Sequence, residues 1–227
     1  MITFRIFDTP VKVNAKVLPL LFLVWGGVTW FGFHGHPGRG LWQGLLIGFV
    51  STVLLSLSDF GHPIGHIFSA RYAGAPMDEI IISGDMPRTL YRNNDVTPDV
   101  HRMRALGGPI FNLVCLLLSM AIFQVASGHA VVKEWTGWSS VGQAFILTMS
   151  LLPLPMVDGG TILKWTLVAR GKTETEADDF VRRVDWVLGI MVLATGIGLL
   201  IMSMWIIGLI LLVGAAVIFG IAAGKVR

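Results

Sequence analysis

Residues 41–74 read LWQGLLIGFVSTVLLSLSDFGHPIGHIFSARYAG. The apolar run from Leu41 to about Ala70 is longer than the roughly 20 residues that a helix needs to cross a bilayer. It is not purely apolar, because Asp59, His62 and His66 stand inside it. Residues at i, i+3 and i+7 share one face of a helix, so all three side chains point the same way. Polar groups inside a membrane helix are costly and tend to be functional. The segment therefore predicts a chain built of membrane helices, one of which presents two imidazoles and a carboxylate on one face.

The composition agrees. The chain has 227 residues, 54% of them hydrophobic and 14% charged, with a mean hydropathy of +0.72. A soluble domain carries about 25% charged residues. The net charge of +3 is no nucleic-acid footprint, because the basic residues are spread through loops. Cys115 is the only cysteine, so no intrachain disulfide can form. The first residues, MITFRIFDTPVKVNAK, lack the apolar run and cleavage site of a signal peptide.

The expected fold class is an all-α membrane protein of about six transmembrane helices with a small interfacial β-sheet. The spans are expected at about residues 15–33, 41–70, 106–126, 138–157, 184–202 and 204–223. The last two, joined around Ser203, form an antiparallel hairpin. The sheet comes from two segments: residues 2–13, with imperfect alternation, and residues 77–91, with the run EIIISG. Residues 174–179 are the solvated start of the fifth helix. The whole is read as a single membrane domain: a surface strand over residues 1–15, a core over 16–165, and two C-terminal helices over 166–227. Five arginines (71, 88, 92, 102 and 104) lie between helices two and three. Lys164, Arg170, Lys172, Arg182 and Arg183 lie between four and five. The opposite loops carry only Arg39 and Lys133. The positive-inside rule then puts both termini in the cytosol, and the compact core suits a prokaryotic plasma membrane.

A second polar feature closes the fourth span. In LLPLPMVDGG, residues 151–160, two prolines and two glycines break the helix around Asp158. By the charge assignment, helices two and four run in the same direction, which brings His62, His66 and Asp158 to one depth. Two imidazoles and a carboxylate leave the fourth zinc position open, the pattern of a catalytic site. A lone helical histidine is more often simply hydrogen-bonded to a neighbour, and an Asp-Gly-Gly turn is more often only a turn. The coincidence of depth raises both above those readings. The histidines at 34, 36, 101 and 129 have no such companions. The tryptophans mostly sit near span ends and read as interfacial anchors.

In these blocks the chain resembles the site-2 protease family of intramembrane zinc metalloproteases. GHPIGHIFSARYAG is similar to the family's His-Glu-x-x-His helix and the turn after it. EIIISGDM resembles its surface strand, ALGGPIFNL (residues 105–113) its Gly-Pro-x-x-Asn block, and SLLPLPMVDGG its Pro-rich Asp-Gly-Gly ending. The resemblance covers about residues 2–164. It implies one zinc ion on His62, His66 and Asp158, and structural or substrate-facing roles for Gly108, Pro109 and Asn112. It implies cleavage of a peptide bond in or beside the membrane span of another protein. Ser150 stands where the family has a substrate-orienting asparagine.

Pro63 stands where the family has its general-base glutamate. Proline has no titratable group, and general acid–base catalysis is worth roughly 10²–10⁴-fold in rate. Proline also lacks an amide proton and crowds the carbonyl four residues earlier, here that of Asp59, so the helix either kinks or restarts at Pro63. Three readings stay open. The chain is a pseudoprotease that binds membrane segments without cutting them. Or it is a hydrolase in which Asp59 substitutes as base. Or it is a metal-binding sensor or transporter that closes the site with Asp59, His62, His66 and Asp158.

Overall fold

The computed structural model describes residues 1–84, 87–155 and 157–224. Asp85 and Met86 of the EIIISGDM block, Met156 of the Pro-rich block, and the C-terminal Lys225 and Arg227 lie outside the described residues. The strands are β1 (Ile2–Ile6), β2 (Thr9–Val13), β3 (Glu79–Ile82) and β4 (Arg88–Leu90). The helices are α1 (Val17–Gly35), α2 (Leu41–Tyr72), α3 (Pro98–Val125), α4 (Ala130–Ser150), α5 (Asp158–Ala169), α6 (Glu174–Ile201) and α7 (Trp205–Ala222). Five of these, α1, α2, α3, α6 and α7, are long and apolar enough to cross a membrane. The expected fourth span corresponds to α4, whose 21 residues begin with the polar stretch around Lys133 and Glu134.

The chain divides into two compact units. One holds residues 1–96 and 106–149, the other residues 97–105 and 150–227.

In the first unit the two expected surface segments form one four-stranded sheet, in the order β1-β2-β3-β4. β1 and β2 are an antiparallel hairpin, β2 runs parallel to β3, and β3 pairs antiparallel with β4. Alternation sends Val11, Ile80 and Ile82 to one face, where they pack with Ile67, Ala70 and Met77 in a buried cluster. Ile67 and Ala70 belong to the last turns of α2, directly after His66. The hairpin tip is fastened to the same turns. Phe7, at φ 51°, meets Phe68 edge-on at 5.3 Å, and Arg71 reaches Asp8 at 3.2 Å. The sheet therefore grips the end of the helix that carries the histidines.

Small residues let α2 be approached closely. A Cβ on Gly44 would meet the Phe33 ring of α1, and one on Gly48 would meet Thr29. Against α3 the fit is closer still. A Cβ on Gly61 would overlap the ring of Phe111, and one on Gly65 would overlap the carbonyl of Gly107. Pro63 does not break this helix, which runs continuously from Leu41 to Tyr72. Pro63 is among the fully buried side chains, between two of these glycine contacts. Away from the site, Arg39 and Glu134 form a two-pronged ion pair, at 2.9 and 2.5 Å, that ties the loop after α1 to α4.

In the second unit the helix of the fourth span ends at Ser150, not 157, and α5 starts at Asp158. Pro153 and Pro155 account for this, because a proline disfavours helical backbone in the residue before it as well as at its own position. α6 begins at Glu174 with a capping box, in which Thr173 and Glu176 satisfy each other's exposed amides. The α6–α7 turn is as short as expected, with Ser203 at φ 62°. Gly189 packs under Phe219, and Gly196 against Gly208 and Leu211, so the small residues permit a close hairpin.

The glycine contact between α2 and α3 is open to test. Gly65→Ala puts a methyl into a backbone carbonyl and should destabilise the protein by about 1–3 kcal/mol. Gly26→Ala meets nothing within 4 Å and should leave stability equal or slightly higher, since alanine favours helix by about 1 kcal/mol. Thermal unfolding in detergent distinguishes them, and equal melting temperatures for the two variants would contradict the packing account.

Candidate metal centre

The one-turn spacing of His62 and His66 on α2 does what the sequence implies. The rings lie 4.8 Å apart, and their Nε2 atoms are separated by 3.2 Å. His66 is buried and His62 half-buried. Two nitrogens held about 2.0–2.1 Å from one zinc ion at a tetrahedral angle would be about 3.3 Å apart. The separation found is close to that value, and it is spanned by a hydrogen bond between the two Nε2 atoms.

α3 supplies the floor. Because Gly65 and Gly107 allow backbone contact, the next residue, Gly108, comes directly against the two rings. A Cβ built on Gly108 would overlap His62 Nε2 and lie 2.6 Å from His66 Nε2. A side chain there would fill the cradle that a metal would use. The Gly108 N–H donates to His66 Nδ1 across a long 3.3 Å. Zinc on His66 Nε2 would need the proton on Nδ1, so metal binding would replace this contact.

One turn on, Asn112 is fully buried. Its Oδ1 accepts from His62 Nδ1 at 2.5 Å, and its Nδ2 donates to Gln143 Oε1 at 2.6 Å and to the Ser58 carbonyl at 3.3 Å. Gln143, in the middle of α4, is 4% exposed. No sequence motif surrounds it. Asp59 lies one turn before His62 on α2 and is half-buried.

Asp158 belongs to the second unit, where it opens α5 after the extended residue Val157. The two glycines after it serve the local fold. A Cβ on Gly159 would overlap the carbonyls of Leu151 and Leu152, and one on Gly160 would overlap that of Leu154. The first turn of α5 thus lies against the carbonyls of the Pro-rich segment, and Asp158 is placed at a helix N-terminus, where a carboxylate is favoured. Ser150 is buried at the end of α4. His62, His66 and Asn112 are therefore brought together within one unit, while Asp158 and Ser150 are positioned within the other.

A further carboxylate emerges from the fold. Asp185 on α6 is fully buried, and no described residue hydrogen-bonds either of its oxygens. It follows Ala177 and Val181 and precedes Gly189 on the buried stripe of α6. In the sequence it looks like a residue at the edge of a span.

No family model matches the chain, and no curated protein matches it. Among solved structures it is similar to the Site-2 Protease from Methanocaldococcus jannaschii, with a TM-score of 0.58 and 17% identity. The match covers 100% of this chain and 95% of that one. With its membrane-length apolar helices, this likeness makes the chain an integral membrane protein with a site-2-protease-like fold.

Proposed function

We propose that this chain is a site-2-protease-like membrane metalloprotein. His62, His66 and Asp158 hold one zinc ion, segments of other membrane proteins are its clients, and hydrolysis is weak or absent. The observation that carries the reading is the histidine pair, with two Nε2 atoms 3.2 Å apart over a glycine that leaves them room. Asp158 completes the set, since these three residues have the donor types and number to hold an ion. Zinc bound by two imidazoles and one carboxylate would supply Lewis acidity and a water of lowered pKa.

Pro63 sets the limit on activity. It is buried and has no group that takes up or delivers a proton. A proton from an attacking water would have to go elsewhere, and the leaving amine would lack its usual donor. Asp59 supports a second reading, slow hydrolysis with a substitute base. It is the nearest carboxylate along α2, on the same face as His62 and only half-buried. A sensor or transporter that uses Asp59 as a fourth ligand would bind metal but cleave nothing. The asymmetry of the basic loops supports placing both termini in the cytosol, and the compact core suits a prokaryotic plasma membrane. A C-terminal reporter active only outside the cytosol would contradict that placement.

The test uses purified wild type, Pro63→Glu, Asp59→Ala and Gly108→Ala, with zinc content and cleavage of an unfolded protein substrate as readouts. Wild type should carry zinc and cleave little or nothing, and Pro63→Glu should gain roughly 10²–10⁴-fold over it. Residual wild-type cleavage that vanishes in Asp59→Ala favours the substitute base. Cobalt-loaded wild type showing four protein ligands and no water favours the closed site. Gly108→Ala, whose methyl would occupy the cradle, should weaken zinc binding about ten- to hundredfold, the equivalent of 1–3 kcal/mol of overpacking. Wild type that cleaves as fast as Pro63→Glu, and no slower when Asp59→Ala is added, would overturn the account of position 63.

A further inference from the structure

The hydrogen bonds around Asn112 define more than proximity. An asparagine amide has one acceptor oxygen and two N–H donors, and which end faces which neighbour follows from chemistry. The Ser58 carbonyl can only accept, so the amide end that faces it, 3.3 Å away, is the NH₂. The remaining oxygen then faces His62 Nδ1 at 2.5 Å. Turning the amide over would set Oδ1 against the Ser58 carbonyl. Since Oδ1 can only accept, His62 Nδ1 must donate. In the neutral ring the proton is therefore on Nδ1 and the lone pair on Nε2, which can accept from His66 Nε2, since His66 Nδ1 itself accepts from the Gly108 N–H.

Gln143 strengthens the choice from α4. Its Oε1 takes the second Nδ2 proton of Asn112 at 2.6 Å, a shorter contact than the one to Ser58. Both amides are nearly closed to solvent, with Asn112 at 0% and Gln143 at 4% exposure. Water therefore competes little for these bonds. Elsewhere a ligating histidine commonly donates its second N–H to a carboxylate or a backbone carbonyl. Here the acceptor is a neutral amide, which can present either end and must itself be oriented.

The geometry points to Asn112 and Gln143 as positioning residues: together they lock His62 in its Nδ1–H tautomer and so present Nε2 as a metal donor. The family resemblance implies a structural or substrate-facing role for Asn112; this assigns it a specific structural one. It rests on the proposed metal centre for its purpose, but the tautomer can be read without any metal.

The experiment compares wild type with Asn112→Leu, Gln143→Leu and Gln143→Glu, each labelled with ¹⁵N-histidine in lipid bilayers. Solid-state NMR of the metal-free proteins reads the His62 tautomer, and zinc titration reads affinity. Wild type should show His62 protonated on Nδ1. Asn112→Leu should lose that preference and bind zinc about 10–100-fold more weakly. Gln143→Leu should show a smaller loss, and Gln143→Glu, which still accepts from Asn112, should restore wild-type values for both. Should Asn112→Leu fail to fold, the Gln143 pair carries the test. An unchanged tautomer in Asn112→Leu, or Gln143→Glu behaving like Gln143→Leu, overturns the proposal. Wild type that binds no zinc, with a tautomer that still shifts in Asn112→Leu, contradicts the metal centre and leaves the positioning chain standing.

Discussion

The backbone contact between α2 and α3 is the constraint from which the rest of the first unit follows. Gly61, Gly65 and Gly107 remove the side chains that would keep the two helices apart. Once they touch, Gly108 must lie against both imidazoles and Asn112 must lie level with His62. The sheet completes the arrangement by burying Ile67 and Ala70, which holds the end of α2 in place. Packing and donor geometry are thus one problem. A methyl group added at the crossing would disturb both.

Position 63 shows how far such a framework can be kept while its chemistry changes. The proline is accommodated within a continuous helix and buried, at the cost of one backbone hydrogen bond to the Asp59 carbonyl. The residues that orient the imidazoles are untouched by it. Geometry suited to a metal therefore coexists with the lack of a proton carrier at the usual place. The proposal of a metal-binding protein with little hydrolysis follows from that separation.

Much of this could be read from the residues because the relevant periodicities are short. Four-residue spacing in an apolar run puts His62 and His66 on one face whatever surrounds them. The strand alternation of residues 2–13 and the run at 79–82 mark the sheet, although not the parallel pairing of β2 with β3. Helix ends were less legible. α3 begins at Pro98, because its first two turns are polar and leave no apolar signal. α6 likewise begins at Glu174, before the apolar run expected to form the span. Gln143 was invisible for another reason: a single amide in a helix has no pattern, and its partner is 31 residues away. Asp185 was hidden by its place at a span edge, where only tertiary packing makes it buried.

The central claim is that one ion is shared by two imidazoles and a carboxylate. X-ray absorption at the zinc edge of the purified protein, compared with Asp158→Ala, tests it most directly. The account predicts one bound zinc with two nitrogen ligands at about 2.0–2.1 Å and a carboxylate oxygen that is lost in the variant. A protein that takes up no zinc, or zinc whose ligand shell is the same in Asp158→Ala, would contradict it.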